Sequence, residues 1–119
     1  MIFGIGVDVI EVKRFSNIKP SFIKKVFTGH EINYLANKKF ESMAGIFAAK
    51  EAVAKSLGSG FKFFFIREIE ILHDQKNAPI VKLHNRAFDF AKQINIKKIN
   101  ISISHTKETA IAFAIAESN

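Results

Sequence analysis

The sequence predicts an α+β domain: a mostly antiparallel sheet with helices packed on one side. Three observations lead there. Ile99, Ile101 and Ile103 alternate with Asn100, Ser102 and Ser104, and residues 110–116 alternate alanine with Ile111, Phe113 and Ile115 after the polar turn 104–109, which reads as strand, turn, strand. Residues 42–57 hold helical spacing until Gly58 stops them. Helical segments cluster in the middle of the chain instead of following every strand, giving the order βααα(ββ)αββ. At 119 residues the chain fits one domain, 1–119, with no repeat, linker or low-complexity segment.

In chain order, residues 2–10 read as a strand. Gly4 and Gly6 fall on one face, which implies close approach of another backbone or a ligand. Residues 11–19 are polar and irregular. Pro20 suits the first turn of a helix, and Phe22, Ile23, Val26 and Phe27 recur at helical spacing with Lys24 and Lys25 on the wet side. Thr28-Gly-His-Glu31 matches a capping box, so a second helix begins there, with Ile32, Leu35 and Ala36 as its apolar stripe. Lys38, Lys39 and Glu41 mark a connection before the helix of residues 42–57. Beyond Gly60, Phe63, Phe65, Ile69 and Ile71 fall on one strand face, with Glu68 and Glu70 on the other. The Phe cluster 61–65 reads as core or subunit interface, or as a base-stacking platform. Residues 73–79 turn the chain, and 80–83 form a short strand. Asn85 then caps a helix whose Ala87, Phe88, Ala91 and Ile94 share a face. The alanine side of residues 110–116 implies a close-packed layer.

Composition limits the chemistry. Nearly half the residues are hydrophobic and thirteen are Phe, ample for a core. The absence of cysteine excludes disulfides, thiolate nucleophiles and cysteine metal sites. No stretch approaches the roughly 20 apolar residues that span a bilayer, so a soluble, cytoplasmic protein is expected. The net charge of +7 is uneven. Lys13, Arg14, Lys19, Lys24, Lys25, Lys38 and Lys39 face only Glu31 within their window, a patch that attracts polyanions or acidic partners.

The stretch from Phe47 to Gly60 carries the most chemistry. Glu51, Lys55 and Gly58 share one helix stripe, and Lys50 lies about 100 degrees to the side of Glu51. Gly58 fits the left-handed residue that ends a helix, and Gly60 frees the chain beyond it. A carboxylate, two ammonium groups and a run of backbone N–H donors suit a phosphorylated ligand and a metal; the plainer alternative is a surface salt bridge followed by a helix stop. Asp8 sits inside an apolar run, where a carboxylate is costly unless paired or bound to a cation; capping the next turn is the alternative. Gly4-Ile-Gly6 lacks the third glycine of a dinucleotide fingerprint. Ser104 and His105, adjacent at a strand end, point to opposite faces and make a poor nucleophile–base pair. His105 at the strand end could bind a phosphate or ribose, and the other histidines show no metal-ligand spacing.

Three separated blocks, Gly4-Ile-Gly-Val-Asp8 with Arg14, Phe47-Ala-Ala-Lys-Glu-Ala-Val-Ala-Lys-Ser-Leu-Gly-Ser-Gly60, and Ile101-Ser-Ile-Ser-His-Thr106 with Ala110-Ile-Ala-Phe113, together resemble the holo-acyl-carrier-protein synthases, the short bacterial 4′-phosphopantetheinyl transferases. The resemblance spans essentially the whole chain and implies the 4′-phosphopantetheinyl transferase fold. It further implies transfer of 4′-phosphopantetheine from coenzyme A to a serine of apo-acyl-carrier protein, for fatty acid biosynthesis, with release of adenosine 3′,5′-bisphosphate. On that resemblance Asp8 and Glu51 would bind Mg²⁺, an ion that takes one or two carboxylates and keeps several waters. Lys55 would stabilise the transferring phosphoryl group, and Glu51 or a metal-bound water would take the serine proton. Lys50, Lys55, Gly58, Ser59, Gly60, Pro79 and His105 would hold coenzyme A. Lys13, Arg14, Lys24 and Lys25 would dock the acidic carrier protein. A homotrimer with active sites between subunits is implied too, and would account for the alanine face and the Phe surplus. One departure is Ile46, where relatives often carry Arg; the resemblance leaves Lys50 or a neighbouring subunit to supply that phosphate contact. Two other functions compete: a nucleic-acid module using the basic patch and Phe61–Phe65, and a non-catalytic domain that binds acidic proteins through residues 13–25.

Overall fold

The alanines of the last strand set the architecture. In a computed structural model describing all 119 residues, β5 (Thr109–Ser118) turns Ala110, Ala112, Ala114 and Ala116 inward, and all four are buried. They lie beneath α3 (Phe40–Ser56), whose Ala44, Ala48, Ala49 and Ala52 are also fully buried. Small residues on both sides let helix and sheet approach closely, and the core is built on that contact.

The sheet beneath α3 has the order β1-β5-β4, all antiparallel, with β1 spanning Ile2–Glu11 and β4 spanning Ile96–His105. At β1 the approach to α3 reaches main chain against main chain. A Cβ on Gly6 would fall 1.9 Å from the Ala52 carbonyl oxygen, and one on Gly4 would fall 2.1 Å from that of Ser56. These glycines leave room for the helix, as the strand's glycine face predicts. Helices cover one face only. Ile5, Val7, Val9, Ile111 and Phe113 on the other face are exposed.

A second antiparallel pair, β2 (Ile69–His73) and β3 (Pro79–Leu83), forms its own two-stranded sheet. Its turn is an Asx-type device: the Asp74 carboxylate accepts N–H bonds from Lys76 and Ala78 at 2.8 and 2.9 Å. Three short helices complete the domain: α1 (Pro20–Val26), α2 (Gly29–Leu35) and α4 (Asn85–Gln93). The capping box at Thr28 and Glu31 is formed in full. No helix is long and apolar enough to cross a membrane.

Several expectations are corrected. Residues 12–15 form a short 3-10 turn instead of irregular chain. Glu41 lies inside α3, in its first turn. Residues 61–65 are not strand: Phe64 is buried against Phe90, while Phe63 and Phe65 stay largely exposed. Phe88 and Ile32, expected on apolar faces, are exposed. His84, not Asn85, is the N-cap of α4. The alanine face of β5 is filled by α3 of the same chain, so a subunit contact is not needed to explain it. The bulky face is the uncovered one.

Candidate functional site

Alternation along β1 puts Asp8 on the same side as Gly4 and Gly6, toward α3. Glu51 and Lys55 stand one turn apart on that helix. Lys55 Nζ donates to the Val7 carbonyl at 2.9 Å and meets Asp8 Oδ1 at 3.3 Å. Burial pushes the Glu51 carboxyl above its ordinary value; the Asp8 charge pushes it further, and the Lys55 and Arg14 cations offset this only in part. Asp8, Glu51, Lys55 and Arg14 therefore share one locality along the outer edge of β1. Two neighbouring carboxylates partly open to water are oxygen donors of the kind a hard cation takes. No group of three or more His, Asp or Glu converges to hold a metal ion. A pair suits an ion that keeps most of its waters, such as Mg²⁺, and does not make the all-protein cage that Ca²⁺ prefers.

Beyond Lys55 the helix closes on Gly58 (φ +81°) and Gly60 (φ +60°), both left-handed. Their N–H groups are engaged: Gly58 N–H bonds the Lys55 carbonyl at 3.0 Å, and Gly60 N–H bonds the Ala54 carbonyl at 3.3 Å. The expected run of free backbone donors is thus reduced, and the Ser59 hydroxyl donates to the Gly60 carbonyl at 3.0 Å. The loop remains next to the Lys55 end of the cluster.

Lys50 departs from expectation. Its side chain is 0% exposed, with Nζ 2.7 Å from Glu31 Oε1 and 2.8 Å from the Val26 carbonyl. Burial holds its pKa below the ordinary lysine value, although the Glu31 carboxylate pulls the other way. This ammonium ties α3 to α2 in the interior and is not at the surface where a coenzyme A phosphate would sit. It cannot replace the Arg missing at Ile46, which is itself buried. The spacing put Lys50 beside Glu51, but it could not show that the side chain turns to the core.

Pro79 and His105 meet each other, but not the carboxylates. They line a cleft of about 170 Å³ with Ser42, Ile46, Tyr34 and His73, near the β4 edge. Tyr34 and His73 stack there with ring centroids 4.0 Å apart. His105 pairs with Ala110 across β4–β5, and Asp8 pairs with Ala112 across β1–β5, so the two groups occupy opposite edges of the sheet. That is about 10 Å, two strand spacings, with α3 between them. Lys24 and Lys25 are exposed on α1; Lys13 and Arg14 are exposed just after β1, where Lys13 pairs loosely with Glu11 at 3.4 Å.

Sequence reasoning missed one polar centre. Glu70, expected on a wet strand face, is buried. Burial pushes its carboxyl up, but hydrogen bonds from Thr28, His84 and His30 outweigh that and hold it below the ordinary carboxylate value. The signal was available in part: Thr28 was recognisable as a cap, and its hydroxyl serves both the cap and Glu70.

Known proteins resemble this chain over nearly its full length. The family model described as the 4′-phosphopantetheinyl transferase superfamily matches residues 4–114. A holo-[acyl-carrier-protein] synthase of Caldicellulosiruptor saccharolyticus is 50% identical over 121 residues, covering 98% of each chain. The crystal structure of the holo-[acyl-carrier-protein] synthase of Neisseria meningitidis superposes with a TM-score of 0.91 at 30% identity, covering 99% of this chain and 100% of that one. The Helicobacter pylori holo-[acyl-carrier-protein] synthase in complex with coenzyme A superposes at 0.84 and 31% identity, covering 95% of this chain and 99% of that one. With a carboxylate pair, an adjacent lysine and these likenesses over nearly its full length, the chain belongs to the holo-[acyl-carrier-protein] synthase family of phosphopantetheinyl transferases.

Proposed function

We propose that the chain transfers 4′-phosphopantetheine from coenzyme A to a serine of apo-acyl-carrier protein in a Mg²⁺-dependent reaction, releasing adenosine 3′,5′-bisphosphate. The observation that carries this is the Asp8–Glu51 pair with Lys55 beside it. Asp8 and Glu51 would hold Mg²⁺, and the chemistry that ion supplies when bound is neutralisation of charge on the pyrophosphate. The serine oxygen forms a new bond to the phosphorus bearing pantetheine. The bond from that phosphorus to the bridging oxygen breaks, and the bridging oxygen leaves with the adenosine half. Lys55, already reaching across to Asp8, stabilises the charge that develops on the transferred group. Glu51 or a water at the site would accept the serine proton. Gly58, Ser59 and Gly60 flank the phosphates, and Pro79 with His105 receives the nucleotide.

Those two halves lie on opposite edges of one chain, which supports a site that a second copy would complete. The uncovered face of Ile5, Val7, Val9, Ile111 and Phe113 supports a homotrimer with its sites between subunits. Lys13, Arg14, Lys24 and Lys25 would steer an acidic carrier toward the β1 edge. This reading also expects a cytoplasmic enzyme of fatty acid biosynthesis. The test is mass spectrometry of apo-carrier protein incubated with coenzyme A, Mg²⁺ and this protein. A phosphopantetheine adduct is expected, lost with Glu51→Gln and lost with a chelator. Full transfer by the Gln variant without divalent metal refutes the mechanism.

A further inference from the structure

On the far side of α4 lies a groove of about 540 Å³ whose walls are Ile80, Leu83, Phe88 and Ile99. Phe88 is 53% and Ile80 46% exposed, so the lip presents large apolar surface to water. Three cations, Lys92, Lys97 and Lys98, border it, and none takes part in an ion pair. A register irregularity in β4 between Ile96 and Lys98 explains how two consecutive lysines reach the same groove, since regular alternation sends neighbours to opposite faces. Glu117, opposite Lys98 in register, is engaged by the Asn100 amide at 2.7 Å. Three cations therefore border the groove without a direct ion pair, with Glu117 the carboxylate facing Lys98 across the strands.

An apolar trough with a positive rim matches one ligand chemistry: a hydrocarbon chain ending in an anion. We infer that this groove binds a monomeric single-chain anionic amphiphile, its chain along Phe88 and Ile99 and its head among Lys92, Lys97 and Lys98. The volume is within the roughly 300–1,000 Å³ of small-molecule pockets. The groove shares no residue with the Asp8 cluster or with the cleft of Pro79 and His105.

Isothermal titration calorimetry of the full chain with octyl, decyl and dodecyl sulfate below their micelle concentrations tests this, with dodecyltrimethylammonium as the charge-reversed control. Affinity is expected to rise with each methylene, up to about fourfold for full burial, and the cationic control is expected to bind at least about tenfold more weakly. Phe88→Asp should remove the chain-length dependence, and Lys97→Glu with Lys98→Glu should remove the head-group preference. All three side chains are exposed, so circular dichroism and the melting midpoint should not change, and phosphopantetheine transfer offers a separate readout. Chain-length-independent binding, equal affinity for both head groups, or undiminished binding by Phe88→Asp overturns the inference. Binding to anionic vesicles without binding of monomers overturns it too, and would mark a membrane-facing surface instead.

Discussion

Replacing Lys50 by Met separates a structural lysine from a ligand-binding one. The ammonium offers three protons and has three acceptors: Glu31 Oε1 at 2.7 Å, the Val26 carbonyl at 2.8 Å and the Ile66 carbonyl at 3.4 Å. Glu31 is equally enclosed, accepting from the Thr28 N–H at 2.8 Å and the Ile71 N–H at 2.7 Å. Lys50→Met fills most of the volume but leaves a carboxylate in the interior without its counter-charge. Breaking a buried pair from one side costs about 3–5 kcal/mol, against a total domain stability of about 5–15 kcal/mol. With a urea dependence of about 1–3 kcal/mol per molar, the unfolding midpoint should fall by roughly 2 M. Adding Glu31→Gln removes the stranded charge and should recover part of the loss, a coupling that a double-mutant cycle measures. Urea melts followed by circular dichroism at neutral pH are the assay. A midpoint within a few tenths molar of the parent, with a sharp loss of coenzyme A affinity, would refute the reasoning and return Lys50 to the ligand site.

Gly6→Ala should destabilise the fold by about 3 kcal/mol, because its methyl meets the Ala52 carbonyl at 1.9 Å; Gly29→Ala, with no atom within 4 Å of the added methyl, should be harmless in the same thermal melts. Glu51→Gln should raise the melting midpoint of the metal-free protein at pH 7 by an amount worth less than about 1 kcal/mol. The sign follows from linkage: the folded carboxyl sits above the unfolded value of 4.5, so ionisation weakens the fold as pH rises, and the gain should vanish below pH 4.5. A Gln variant less stable than the parent at pH 7 would contradict it. His73 behaves oppositely to a paired histidine. Burial, with Lys38 adding, lowers its pKa from 6.5, so the unfolded chain protonates first and stability falls as pH drops through that value. His73→Phe keeps the stack on Tyr34 and should flatten the decline between pH 7.5 and 5 in thermal melts.

What the sequence revealed tracks how local each determinant is. β1, β4, β5 and the capping box at Thr28 announce themselves through alternation or a four-residue signature, and each was legible. Asp8 and the Glu51–Lys55 stripe were each legible as local features of strand and helix periodicity, but that they belong together came only from the family resemblance. Lys50 was not, since its direction depends on a partner nineteen positions away on another helix. Glu70 failed for the same reason: its strand alternates correctly, but Thr28, His30 and His84 cover the side that alternation assigns to water. The division of the expected nucleotide contacts between two sheet edges depends on where α3 crosses the sheet, which no periodicity encodes.

The bare strand backbone at Gly4 and Gly6 also decides how the acidic pair tolerates change. Its spacing is gauged by one polypeptide resting directly on another, with no side chain serving as a shim. Swaps among distant apolar residues therefore leave the gap between Asp8 and Glu51 as it is, whereas a single added carbon on that strand wedges it open. Two hydrogen atoms on one strand are the part such an enzyme cannot trade.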